Sequence, residues 1–275
     1  MSSVPALSLQ DVCITFGGLK AVSCFTHDLP TGALEGLIGP NGAGKTTLFN
    51  LLTGVYKPTS GSIKLEGRDI HHLRPFRIAQ RGLSRTFQNI RLCNQLSVLD
   101  NVQIAQHQHK SSSLLCTLLR TPGFCKSEAL LRQEALQLLK LFDLESRAQE
   151  LACNLSYGDK RRLEIVRALA TRPRVLLLDE PAAGMNTTEK AELARMIRRL
   201  RDEFELTILL IEHDMSLVMD ICERITVVEY GKIIAKGTPQ EIQNNPLVIE
   251  AYLGISETED EAEIERRHPT KEFAR

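Results

Sequence analysis

The chain has 275 residues, 43% hydrophobic and 25% charged, which predicts a soluble globular protein with a substantial core. Its 34 basic and 34 acidic residues cancel, which argues against a surface dedicated to nucleic acid. No apolar run approaches the ~20 residues that span a bilayer, and Met1–Ala6 lacks the regions of a signal peptide. The seven cysteines are scattered with no CxxC pair, so they are expected to be reduced, mostly buried thiols of a cytosolic protein.

In chain order, Leu7 to Phe16 alternates as a strand, Gly17 and Gly18 turn, and Ala21 to Leu29 reads as its hairpin partner. Ala33 to Ile38 is a short apolar run that enters a glycine-rich loop, and a helix is predicted from Lys45 to Thr53. That order forms a βα unit. A strand follows at Gly61 to Leu65 and a short helix at Arg74 to Arg81. Strand signals then vanish between Asn89 and Asn154. There Glu128 to Phe142 has helical periodicity, with Leu130, Leu131, Ala135, Leu138 and Leu139 on one side. This stretch reads as an inserted helical subdomain, about residues 89–154. From Ser156 the prediction alternates: helix to Ala170, strand Val175 to Leu178, helix Thr188 to Phe204, strand Thr207 to Ile211, helix Met215 to Cys222. Such alternation implies a parallel sheet covered on both faces. Ile225 to Tyr230 and Lys232 to Lys236 flank Gly231 as a closing hairpin, residues 255–275 read as a charged, solvated tail, and the stretch from Glu257 onward is expected to be dispensable for activity.

Gly39-Pro40-Asn41-Gly42-Ala43-Gly44-Lys45-Thr46, followed by Thr47, fits the pattern GxxxxGK[ST] in full. Backbone N–H groups of such a loop surround phosphate oxygens, and the following helix aims its positive end at them. Lys45 supplies a cation for the β- and γ-phosphates, and Thr46 a hydroxyl for Mg²⁺. The second motif is Val175-Leu-Leu-Leu-Asp179-Glu180, a buried strand that delivers two carboxylates to the carboxyl edge of the sheet. Asp179 would serve the Mg²⁺ shell and Glu180 would polarise or deprotonate the attacking water. The third is Leu155-Ser156-Tyr157-Gly158-Asp159, where Ser156 is also a candidate helix cap.

This third segment resembles the signature motif of the ABC ATPases, usually LSGGQ, and the resemblance extends over residues 7 to 254. It implies an α/β fold: an ABC-type P-loop ATPase core with a mixed or parallel sheet, an N-terminal antiparallel β subdomain and the inserted helical subdomain. The ATPase domain would cover residues 1–254. Phe16 matches the aromatic that stacks on adenine, Gln88 the Q-loop glutamine that reaches Mg²⁺ and the water, and His213 the switch histidine at the γ-phosphate. Ala183-Gly-Met-Asn186 matches the D-loop. Ser156 and Gly158 would contact the phosphate of ATP bound to a second chain. Tyr157, Asp159 and Asn186 depart from the usual residues, which bears on the symmetry of the two sites in a dimer.

Phe16-Gly-Gly-Leu-Lys-Ala21, Arg85-Thr-Phe-Gln-Asn-Ile-Arg-Leu92, Ala105-Gln-His-Gln108, Glu180-Pro-Ala-Ala-Gly184 and Ala251-Tyr-Leu-Gly254 resemble the branched-chain amino acid importer ATPases. Urea or amide importers and the lipopolysaccharide-export ATPase are similar too. A soluble, non-transport ABC ATPase is the rival class, disfavoured by a single set of motifs and the short insertion. The resemblance implies ATP and Mg²⁺ as ligands. As partners it implies ABC permease subunits, a second ATPase subunit (identical or not) and, indirectly, an extracytoplasmic substrate-binding protein. It places the chain peripherally on the cytoplasmic face of the cell membrane.

Overall fold

A computed structural model describes residues 4–109 and 121–252. Two sheets organise it. The first is antiparallel, in the order β2-β1-β4-β5, from β1 (Leu7–Phe16), β2 (Leu19–Leu29), β4 (Ser60–Leu65) and β5 (Arg68–Asp69). The second runs β10-β9-β3-β8-β7-β6, from β3 (Leu34–Ile38), β6 (Leu83–Arg85), β7 (Val175–Asp179), β8 (Thr207–Ile211), β9 (Arg224–Glu229) and β10 (Lys232–Gly237). Its pairs are parallel except the last, where β10 returns antiparallel on β9. The sheet is therefore mixed, as expected.

The central strands explain the sheet. All five residues of β3, β7 and β8 are buried, as parallel strands with two covered faces require. Alternate residues go to opposite cores. Leu176, Leu178, Ile208 and Leu210 face a cluster with Leu163, Val166 and Ile197. Val175, Leu177, Leu209 and Ile211 face another with Phe49, Leu52, Leu9 and Phe25. Each such side chain contributes about 1.5–3 kcal/mol on burial, so groups mounted at the strand ends stand on a rigid base.

Helices α1 (Lys45–Leu52) and α2 (Pro75–Gln80) belong to the first half. The inserted region holds α3 (Val98–Gln106) and α4 (Pro122–Leu141), and its two ends meet in an antiparallel bridge between Ser97 and Leu151. Then come α5 (Tyr157–Ala170), α6 (Thr187–Glu203), α7 (Met215–Ile221) and α8 (Pro239–Gln243). A last helical stretch occupies 246–252. Leu253, Gly254 and the tail 255–275 lie outside the described residues. No helix among those described is long and apolar enough to cross a membrane.

Two expectations are corrected. Leu130 is 53% exposed, and in α4 only Ala135 and Leu139 are fully buried. Both fully buried residues lie in the second half of the helix, and the first half keeps the periodicity at half-buried and exposed positions. Nor are the cysteines mostly buried: Cys24, Cys93, Cys125 and Cys153 are exposed, Cys13 is intermediate, and of the six described only Cys222 is buried.

Candidate functional site

The loop Gly39–Gly44 connects β3 to α1 across the carboxyl edge of the mixed sheet. Two of its three glycines, Gly39 and Gly44, are required by the backbone packed against them. A Cβ on Gly39 (φ 152°) would stand 2.0 Å from the Val228 carbonyl oxygen, and one on Gly44 (φ 99°) 2.4 Å from that of Ala21. Neighbouring backbone thus presses against both ends of the loop. Gly231 N–H donates to the Ala43 carbonyl at 2.9 Å, bracing the loop from the β9–β10 turn. Burial pushes the Tyr252 phenol up from its ordinary value, and the Gly39 backbone opposes that rise.

Lys45 opens α1, buried, with its ammonium donating to the carbonyls of Gly39 at 2.5 Å and Pro40 at 2.9 Å. Burial holds its pKa below the lysine range, against the opposing pull of Glu180 and Asp179. A phosphate would take over this ammonium at little cost, because the loop carbonyls it leaves are neutral acceptors. Thr46 is exposed and Thr47 half-buried beside it, and Asn41 and Gly42 are exposed at the loop's crest. Phe16 ends β1 with 43% exposure, its ring edge-to-face with Tyr56 at 5.1 Å.

Asp179 ends β7 and Glu180 follows it directly. Arg85, from β6, donates to Asp179 Oδ2 and to Asn50 Oδ1, both at 2.7 Å. Glu180 has φ 46°, a left-handed conformation costing a non-glycine about 1–3 kcal/mol. Its backbone is pinned on both sides: its N–H donates to the Ile211 carbonyl at 2.9 Å, and its carbonyl accepts from Arg161 at 3.0 Å. The turn aims the carboxylate outward. Gln88 Nε2 donates to Oε2 at 2.6 Å, and His213 Nε2 lies 2.7 Å from Oε1. Three polar side chains from three separate strand ends therefore converge on one point.

Arg161 is the largest fully buried side chain among the described residues. It donates to the carbonyls of Phe87 at 2.7 Å, Gln88 at 3.1 Å and Glu180, and to Glu164 Oε2 at 3.0 Å. Glu164 Oε1 in turn accepts from Phe87 N–H at 3.1 Å, and burial pushes its carboxyl up. One ion pair on α5 thus holds the Gln88 segment and the Glu180 turn. Glu212, buried next to His213, accepts from Ala182 N–H at 2.6 Å and fixes the segment after Glu180. Sequence reasoning gave no role to Arg85, Arg161, Glu164, Glu212 or Tyr252. A signal for Arg161 existed: it falls at i and i+4 with Ile165, on what is otherwise an apolar helix face.

Ser156 and Gly158 stand elsewhere. Ser156 caps α5, accepting from Asp159 N–H at 3.2 Å and donating to Asp159 Oδ2 at 2.7 Å. Both residues line a separate cavity of about 780 Å³ with Tyr157, Gly184 and Met185, and no residue of the glycine loop lines it. Asn186 caps α6 in a reciprocal pair with Glu189.

The oxygen donors of Thr46, Asp179 and Gln88 suit Mg²⁺, which takes one or two carboxylates and leaves other positions to water and phosphate. Asp179 gives Arg85 only Oδ2, and Gln88 engages Glu180 through its nitrogen. The donor set fits the ion.

Two family models match the chain: ABC transporter over residues 22–183, and branched-chain amino acid ATP-binding cassette transporter over residues 232–257. The high-affinity branched-chain amino acid transport ATP-binding protein LivG of Escherichia coli (strain K12) is 48% identical over 252 residues, 92% of this chain and 99% of that protein. BraF of Pseudomonas aeruginosa, which bears the same description, is 46% identical over the same coverage. The solved ADP conformation of an ATP-binding cassette of an ABC transporter matches with TM-score 0.79 and 30% identity, over 90% of this chain and 98% of that one. The chain belongs to the ABC transporter family, as an ATP-binding subunit whose ATPase activity is coupled to transport.

Proposed function

We propose that this chain is the ATP-hydrolysing subunit of an importer of branched-chain amino acids, driven by ATP-dependent closure of an ATPase dimer. The observation that carries the catalytic reading is the convergence of Gln88 and His213 on the Glu180 carboxylate. Adenine lies against Phe16 and the phosphates lie in the loop Gly39–Thr47, where Lys45 turns from its carbonyls to the β- and γ-phosphates. Thr46, Asp179 and Gln88 would hold Mg²⁺, which would supply neutralisation of phosphate charge. Glu180 takes the proton of the attacking water, Gln88 orients that water, and His213 contacts the γ-phosphate. Ser156 and Gly158 of a second chain, identical or homologous, cover the nucleotide. Closure is stable only while the γ-phosphate bridges both chains.

The partners are permease subunits, reached from the cytoplasmic face of the membrane, with a substrate-binding protein acting through them. A groove of about 490 Å³ beside the Gln88 segment, lined by Ile78, Arg85, Phe87, Ile104 and Arg167 among others, suits a short helix of such a permease. The cargo rests on the relatives, since the nucleotide site sees only ATP.

Glu180→Gln keeps shape and hydrogen bonding but removes the base. Turnover is expected to fall by roughly 10²–10⁴-fold, and ATP is expected to trap a dimer seen by size-exclusion chromatography. Hydrolysis at the wild-type rate would exclude Glu180 as the base. The cargo is tested by uptake of labelled leucine, isoleucine and valine in cells lacking the gene; unchanged uptake would remove that assignment.

A further inference from the structure

Strands β1 and β2 lose register opposite Cys13. Val12 pairs with Phe25 and Ile14 with Val22, so Ser23 and Cys24 together face one residue in a bulge. Cys24 sits there with φ 47°. The bulge turns its side chain toward its neighbour: the two sulfurs are 3.6 Å apart, and Cys24 N–H donates to Cys13 Sγ at 3.0 Å. Cys24 is exposed and Cys13 intermediate, so a small molecule can reach them.

We propose that Cys13 and Cys24 form a redox modification site, in which a small-molecule disulfide closes a reversible bridge between β1 and β2 and the bridge weakens ATP binding. The two thiols are unequal. The Cys24 N–H and the Ser60 hydroxyl lower the Cys13 pKa, whereas the Cys13 sulfur raises that of Cys24. Cys13 is therefore the first nucleophile, because the thiolate is the reacting form. It attacks one sulfur of the reagent, forming a mixed disulfide and releasing one thiolate, which takes up a proton. Cys24 then loses its proton and attacks the Cys13 sulfur, releasing the second thiol. The pair is oxidised by two electrons and the reagent is reduced to two thiols. In a reducing cell such a bridge is transient, as sensing disulfides are.

The position links the bridge to nucleotide. Ser23 N–H donates to the Gly231 carbonyl at 2.9 Å, and Gly231 N–H donates to the Ala43 carbonyl of the phosphate loop, also at 2.9 Å. On the other strand, Cys13 is three residues before Phe16. Closing the sulfurs from 3.6 Å to about 2.05 Å brings them about 1.5 Å nearer, and the part of that shift the side-chain torsions do not absorb falls on the bulge. The Ser23–Gly231 bond is the contact best placed to yield. Its loss corresponds to about two- to tenfold in affinity, the worth of one ordinary hydrogen bond. This coupling rests on the assignment of the loop to ATP; the bridge itself does not.

The test treats the full chain with oxidised glutathione, blocks remaining thiols and maps peptide masses. A Cys13–Cys24 cross-link lighter by two hydrogens and reversed by dithiothreitol is expected, while Cys24→Ser accumulates glutathione at Cys13. Wild-type protein that keeps glutathione at Cys13, or leaves both thiols unmodified, overturns the bridge. Equilibrium binding of a labelled ATP analogue reads the second half. Oxidation should weaken wild-type binding about two- to tenfold, reversibly, and leave Cys13→Ser unchanged. A closed bridge with unchanged affinity overturns the coupling. Reduced protein that does not bind the analogue would instead refute the loop assignment, with the masses still deciding the bridge.

Discussion

Lys45 is held in a position that burial opposes and only the right anion rewards. Its ammonium is desolvated, which lowers its pKa, and the carboxylates of Glu180 and Asp179 pull the other way. Lys45→Ala removes the one loop cation and leaves the neutral carbonyls of Gly39 and Pro40 facing the phosphates. Hydrogen bonds to charged groups are worth about 1.5–3 kcal/mol, so ATP affinity is expected to fall by roughly 10- to 100-fold. Equilibrium binding of a labelled analogue measures it; unchanged affinity would sink the loop assignment. The residues of this site differ in how far a sequence can reveal them. Lys45 and the Asp179–Glu180 pair lie in contiguous patterns whose spacing is itself the chemistry. Gln88 and His213 are isolated polar residues at strand ends, and only resemblance singled them out. Arg161 was harder still, since three of its four partners are backbone carbonyls some 19 to 74 positions away, and backbone has no letter in the sequence.

Whole elements were legible where burial on two faces forces an uninterrupted apolar run, as in β7 and β8. They were illegible where an element is short or half-partnered. Strand β6 has three residues and no pattern of its own; pairing with β7 makes it a strand. The first half of α4 repeats apolar residues at positions that stay half-buried or exposed. Helix α7, only seven residues long, depends on its cap: Asp214 accepts from Leu217 N–H at 3.1 Å. Lys190 and Ser216 hold that carboxyl below the usual range, at about 2. A depressed folded-state pKa contributes stability that is present above the unfolded value of about 3.9 and is lost as pH falls toward 2. Asp214→Ala is therefore expected to cost about 1 kcal/mol at neutral pH. The gap to wild type should close between about pH 4 and pH 2 in chemical denaturation; a gap independent of pH would show that the charge contributes nothing. At Arg161 the expected loss is larger. Arg161→Ala leaves Glu164 buried without its partner, which typically costs about 3–5 kcal/mol. Denaturation within 1 kcal/mol of wild type would show that the ion pair holds neither the Gln88 segment nor the Glu180 turn.

The whole molecule presents half of its chemistry to itself and half outward. Lys45, Asp179, Glu180, Gln88 and His213 gather at one edge of the mixed sheet, while Ser156 and Gly158 open on a separate cavity. In a head-to-tail pair, each chain would lend its Ser156 to the other's nucleotide. Ser156→Arg should then leave ATP binding by the isolated chain intact and block closure. Because Ser156 also caps α5, Ser156→Asp is the matching control: it keeps a capping oxygen yet sets a negative charge against phosphate. Mixing Ser156→Arg chains with Lys45→Ala chains separates the two roles. The mixed dimer has one composite site with Lys45 and Ser156 both native, and one in which both are altered. Each variant alone should be inactive, and turnover should return on mixing if one intact site suffices. Mixed dimers shown to form but still inactive would rule out single-site turnover. If Ser156→Arg and Ser156→Asp both abolish ATP binding by the isolated chain, Ser156 acts on its own chain's nucleotide and the reciprocal arrangement is wrong.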